Sequence, residues 1–156
     1  TYQKAGIKGI STSAVSSGKH MNGAHTWANL GFDFKEPDER KYTQNNLMRL
    51  TKDFEEQGIP MDSLRQKIIN STHPFELQDV ARKLAVLEKQ LPQKKITDMW
   101  GEEIPVQRRD VHQIWSHALS GYESDGGSFQ ARLSADPKDK GHQRMLSFLK
   151  YMRGKK

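Results

Sequence analysis

The side chains best suited to proton transfer or metal binding are six histidines: His20, His25, His73, His112, His117 and His142. Imidazole is the group whose ordinary pKa lies near neutrality, so it can give or take a proton at physiological pH. Spacing argues against a helical metal pair. His20/His25 and His112/His117 are each five residues apart, whereas two rings share one helical face at a separation of four. His25 stands apart because it lies within the most distinctive stretch of the chain, N-G-A-H-T-W-A-N-L-G-F-D-F, from Asn22 to Phe34. With Asn22 offering an amide for hydrogen bonding and Trp27 packing beneath, His25 and Asn22 are the residues expected to line a cleft if the chain is catalytic. The plainer alternative for each histidine is a surface or helix-capping role.

Other chemistry has weaker support in the sequence. Gly18-Lys19 has the look of the end of a phosphate-binding loop, but Ser13 stands where the first glycine is needed and His20 replaces the Ser or Thr. Glu102-Glu103 could supply an acid–base pair, but adjacent carboxylates seldom converge on one atom, and a solvated turn fits them better. No zincin, Rossmann or nucleophile-elbow motif is present, and no calcium loop. Without a cysteine there is neither a disulfide nor a thiolate metal site. Of the three tryptophans, Trp115 and Trp27 sit where a core is expected, leaving Trp100 as the one suited to an exposed position.

The net charge of +6 is concentrated at one end. Residues 138–156 carry Lys138, Lys140, Arg144, Lys150, Arg153, Lys155 and Lys156 against Asp139 alone, and the remainder is formally neutral. Lys140, Arg144, Lys150, Arg153, Lys155 and Lys156 are therefore the expected partner surface, for RNA or DNA phosphates or for an acidic protein. A solvated helix end gives the same pattern, because cations are favoured at a helix C-terminus.

These residues need elements to position them. A chain of 156 residues fits one domain with a real core. Ile7 to Ile10 reads as a short buried strand, Gly23 to Leu30 as a short helix stopped by Gly31, and Phe32/Phe34 as a strand. Leu47, Leu50, Thr51 and Phe54 predict a helix ended by Gly58 and Pro60. Asp62 caps a helix carrying Leu64, Ile68 and Ile69, and Thr72 the next, with Pro74 in its first turn and a stripe of Leu77, Val80, Ala81, Leu84 and Leu87. Residues 92–107 read as a connection anchored by Ile96, Met99 and Trp100. Val111, Ile114, Trp115, Ala118 and Leu119 predict the cleanest helical face. Asp125-Gly126-Gly127 reads as a turn, Phe129, Ala131 and Leu133 as a strand, and Met145, Leu146, Leu149 and Met152 as the inward face of a last helix. The expected class is α+β, a small sheet with a helical majority, over residues 1–137, followed by a basic helix and tail over 138–156.

The strand, the loop with Asn22, the short helix with an aromatic and the Gly31-Phe32 step into another strand resemble the C-terminal half of GNAT-type acyltransferases. More narrowly, A-G-I-K-G-I followed by G-A-H-T-W-A-N-L-G-F-D-F resembles GNAT-like domains at the C-termini of large phage and polymorphic-toxin proteins. The resemblance covers about residues 2 to 35 and fits the remainder loosely. It implies a GNAT-like fold and, in the family, an acyl-CoA held on a glycine-containing loop that would here lie before Thr1. Trp27 stands where many members place a tyrosine as general acid, and an indole N–H is no comparable acid.

The expected function is a toxin- or effector-type C-terminal domain with a GNAT-like core, a group transferase if residues upstream of Thr1 complete it. The start at Thr1, not at a methionine, fits a piece of a larger protein. Acyl-CoA is the expected cofactor only if the upstream loop exists. Two alternatives stay open: a non-enzymatic module binding RNA, DNA or an acidic protein such as an immunity factor through the basic helix, and a phage structural component. With no apolar run near the ~18 residues needed to span a bilayer, and no signal peptide, the expected site of action is the cytoplasm.

Overall fold

The computed structural model describes residues 5–17, 21–121 and 129–155. Its sheet is built on β7 (Phe129–Ser134), which pairs antiparallel with β1 (Gly9–Ala14) on one side and β4 (Asp33–Phe34) on the other. Because both neighbours run opposite to β7, β1 and β4 are parallel to each other. The helix α1 (Gly23–Asn29) connects them, making a split β-α-β unit. A two-residue ladder of β2 (Ser16–Ser17) and β3 (Met21–Asn22) leads into α1.

The remaining mass is helical: α2 (Pro37–Glu56), α3 (Asp62–Asn70), α4 (Pro74–Gln90), α5 (Val111–Leu119) and α6 (Lys140–Gly154). Together with the small sheets they define an α+β fold with a helical majority. The apolar periods read from sequence are the buried faces of three of these helices. Leu47, Leu50 and Phe54 of α2, Leu77, Val80, Ala81 and Leu84 of α4, and Ile114, Trp115, Ala118 and Leu119 of α5 share one core with Phe129 and Ala131 of β7. Trp115 is fully enclosed, and its indole N–H donates to the Ala24 carbonyl of α1 at 3.2 Å. The Asn46 amide donates to the Ala118 carbonyl at 3.0 Å, satisfying a backbone acceptor that the last turn of α5 leaves open.

Several expectations are corrected. The first strand begins at Gly9, and Ile7 and Ile10 are exposed, because β1 has β7 as its one partner among the described residues and only its Ala14 end is covered. Residues 92–107 form a free-standing hairpin, β5 (Lys95–Thr97) with β6 (Glu103–Pro105). Ile96, Met99 and Trp100, expected to anchor it, are exposed instead. Met99 and Trp100 at its tip are 87% and 81% exposed. Met61 and His73 occupy the N-cap positions expected for Asp62 and Thr72, and Ile69 faces solvent. Most consequentially, α6 does not bury its apolar face: Leu146, Leu149 and Met152 are exposed and only Met145 packs against the core. Of the sheet, α6 packs chiefly on β7, and the rest of its apolar stripe is left open. The Asp125–Gly127 turn and Gly18-Lys19 lie outside the described residues.

Candidate functional site

Helix α1 buries Ala24 and Ala28, four apart, and so turns His25 and Asn29, also four apart, to its flank. That flank meets α4 and α5. The Gln78 side chain of α4 donates to the His25 carbonyl at 3.1 Å, and Arg82 donates to the Asn29 side-chain oxygen at 2.6 Å. Arg82 is itself held by Asp79 one turn earlier. From α5, the His112 ring stacks on His25 with centroids 4.4 Å apart, tilted by 43°. Burial, followed by the His112 ring and the Arg82 guanidinium, pushes the His25 pKa from 6.5 to about 4. At neutral pH His25 is therefore uncharged. Its Nδ1 is buried and has no hydrogen-bond partner among the described residues. An imidazole so placed can accept a hydrogen bond but is a weak base and no cationic acid.

Asn22 lies in β3, paired with Ser16, and its side chain is outside the described part of the structure. Trp27 packs edge-on against Phe32, with ring centroids 4.8 Å apart. Neither His25 nor Trp27 lines the cavity beside α6 described below.

A second histidine cluster escaped the sequence reading. His73 is buried, with Nδ1 2.9 Å from the Thr72 hydroxyl and Nε2 3.3 Å from Asp139 Oδ2. Hydroxyl, imidazole and carboxylate thus stand in the order of a nucleophile relay. The connections identify a clasp instead: Thr72 and His73 are neighbours whose backbone N–H groups both donate to Glu76 at the start of α4, while Asp139 caps α6 through the His142 N–H at 3.0 Å. His73 therefore joins the N-termini of α4 and α6. Beside them, burial raises the Asp33 pKa, opposed by the charge of His73, the Phe34 N–H and Arg40 and reinforced by Asp139. No spacing in the sequence relates residues 33, 73 and 139.

The basic residues divide by environment. Lys140 bridges Glu76 at 3.0 Å, and Arg144 donates to the Asn29 carbonyl at 2.6 Å with its guanidinium over the Phe75 ring, so both are tied to the body. Lys150 and Arg153 are exposed on the far part of α6, and Lys155, the exposed C-cap residue, lies over Tyr151 at 4.4 Å. Lys156 is outside the described residues. Between α6 and the sheet lies an apolar groove of about 520 Å³, lined by Ile7 and Ile10, by Leu133, and by Leu146, Leu149 and Arg153 of α6. The sequence signal for it existed, as the apolar stripe of α6, but pointed equally to an interior.

Among the described residues no three His, Asp or Glu side chains converge to hold a metal, and no helix is long and apolar enough to cross a membrane. The acyl-CoA implied by the GNAT-like resemblance does not fit these residues. A pyrophosphate seeks the free N–H groups of a helix N-terminus; α2 to α6 each already carry a carboxylate there, Asp38 and Glu39, Asp62, Glu76, Asp110 and Asp139, and the start of the two-turn α1 is closed by Val15, whose carbonyl accepts from the Ala24 N–H and whose backbone stands against Gly23. Compared with known proteins, the chain finds no match among protein families, curated proteins or solved structures.

Proposed function

We propose that this chain is an effector-type domain that works by binding another macromolecule through the exposed apolar and basic surface of α6. The observation that carries the reading is that Leu146, Leu149 and Met152 stand in solvent on the same helix as Lys150 and Arg153, exposed cations that form no ion pair among the described residues. Large contiguous apolar patches are uncommon on monomeric proteins and mark contact surfaces. The cations add long-range attraction for a negatively charged partner. The effector label rests on the resemblance of Asn22 to Phe34 to toxin-associated GNAT-like domains. Reversing Lys150, Arg153 and Lys155 to Glu should abolish binding to a polyanionic or acidic partner without changing the melting temperature. Binding that ignores both salt and these reversals would remove the basic face from the function.

A second reading, group transfer centred on His25, is favoured by the buried, unpartnered Nδ1. It does not use acyl-CoA held by the described residues. Replacing His25 with Ala should then abolish transfer while the domain stays folded at pH 8, and retained transfer would exclude His25 from the chemistry.

A further inference from the structure

The groove beside α6 has a shape and charge that narrow its occupant. Its α6 wall is a continuous stripe, His142, Met145, Leu146, Leu149 and Arg153, following the helical repeat over three turns, roughly 16 Å of helix. The opposite wall is the uncovered end of the sheet, where Ile10 and Leu133 are cross-strand partners. The floor is apolar and the surrounding charge is predominantly basic. Chain segments 5–10 and 142–155 contribute Lys8, Arg144, Lys150, Arg153 and Lys155 and no acidic residue. Across segment 132–139, Asp136 accepts from the Lys138 N–H and Asp139 is occupied by His73 and the α6 cap.

We infer that this groove receives an acidic amphipathic helix of another protein, its apolar anchors against Leu146, Leu149 and Ile10 and its carboxylates facing Lys150 and Arg153. This rests on the proposed role of α6 as a binding surface and names the partner's chemistry. A helix fits because a second stripe at the i, i+3/i+4, i+7 spacing meets the α6 stripe over its whole length. An extended strand would engage only the edge of β1. A second copy of this chain is disfavoured, since α6 against α6 brings Lys150, Arg153 and Lys155 onto their own images. Nucleic acid would use the cations and leave the apolar floor in water.

The probe is a fluorescein-labelled synthetic peptide of about 16 residues, long enough for a marginal helix, with Leu at helical spacing and Glu elsewhere. A scrambled isomer of the same composition and a generic single-stranded RNA serve as comparators. Fluorescence anisotropy on the full chain should show the patterned peptide binding at least tenfold tighter than the scramble, and Leu149→Glu or Ile10→Glu should weaken it by about tenfold or more. Both positions are exposed, so the variants should keep the wild-type melting temperature. Equal affinity for patterned and scrambled peptides overturns the helix inference but leaves α6 as a charged binding surface. RNA binding insensitive to Leu149→Glu, with no peptide preference, does the same in favour of nucleic acid. Self-association by sedimentation that Leu149→Glu abolishes assigns the groove to a second copy and overturns it too. Binding to none of the three probes removes both the inference and the reading beneath it.

Discussion

Gly31 and Gly141 meet backbone against backbone: a Cβ on either would run into the other's carbonyl oxygen. Gly31 closes α1 with φ +98, and Gly141 lies in the first turn of α6. Through this contact the Gly-Phe turn of the distinctive segment seats the C-terminal helix. Arg144 fastens the end of α1 to the same helix through the Asn29 carbonyl, and the His73–Asp139 clasp ties α6 to α4.

The first prediction tests that seat. Gly141→Ala places a methyl where backbone already stands, and overpacking of this kind costs about 1–3 kcal/mol. Thermal melting should fall accordingly, and hydrogen exchange should quicken most in α6. Wild-type exchange in α6 of the variant would show that the close approach does not hold the helix.

A second prediction concerns pH. The folded-state pKa of His25 is lowered, so the unfolded chain binds the extra proton more readily. Stability linked to His25 should therefore be unaffected above about 6.5, and should fall as pH drops from 6.5 to about 4. His25→Gln removes that titration. The variant's melting temperature relative to wild type should improve as pH is lowered from 7 to 5. A constant offset across that range would mean His25 titrates normally.

Tryptophan fluorescence gives a third. Trp100 projects from the hairpin tip, whereas Trp115 is enclosed and hydrogen-bonded to Ala24. Trp100→Phe should remove most of the iodide-quenchable emission and change stability by no more than about 0.5 kcal/mol. Trp115→Ala should cost about 3–5 kcal/mol through the cavity it leaves. A quench-resistant Trp100 would place the hairpin against the body.

Local order determined much of this protein. The faces of α2, α4 and α5 were legible because helical periodicity needs only neighbours three and four apart, and these helices were long enough to show it. Gly31 ended α1 as its lack of a Cβ permits, and Phe129, Ala131 and Leu133 alternated as a strand must. His25 was singled out by the segment around it, and the cationic end by simple charge placement. What tertiary structure decided were relations across long separations: His25 beside His112, His73 against Asp139, Gly31 against Gly141. It also decided burial where two outcomes share one pattern. An apolar stripe records that a helix has a face to cover, and nothing in residues 145–152 says whether the sheet is wide enough to cover it. Among the described residues that sheet has three strands with β1 at its edge, the stripe stays uncovered, and what was expected to point inward became the surface on which the functional reading rests.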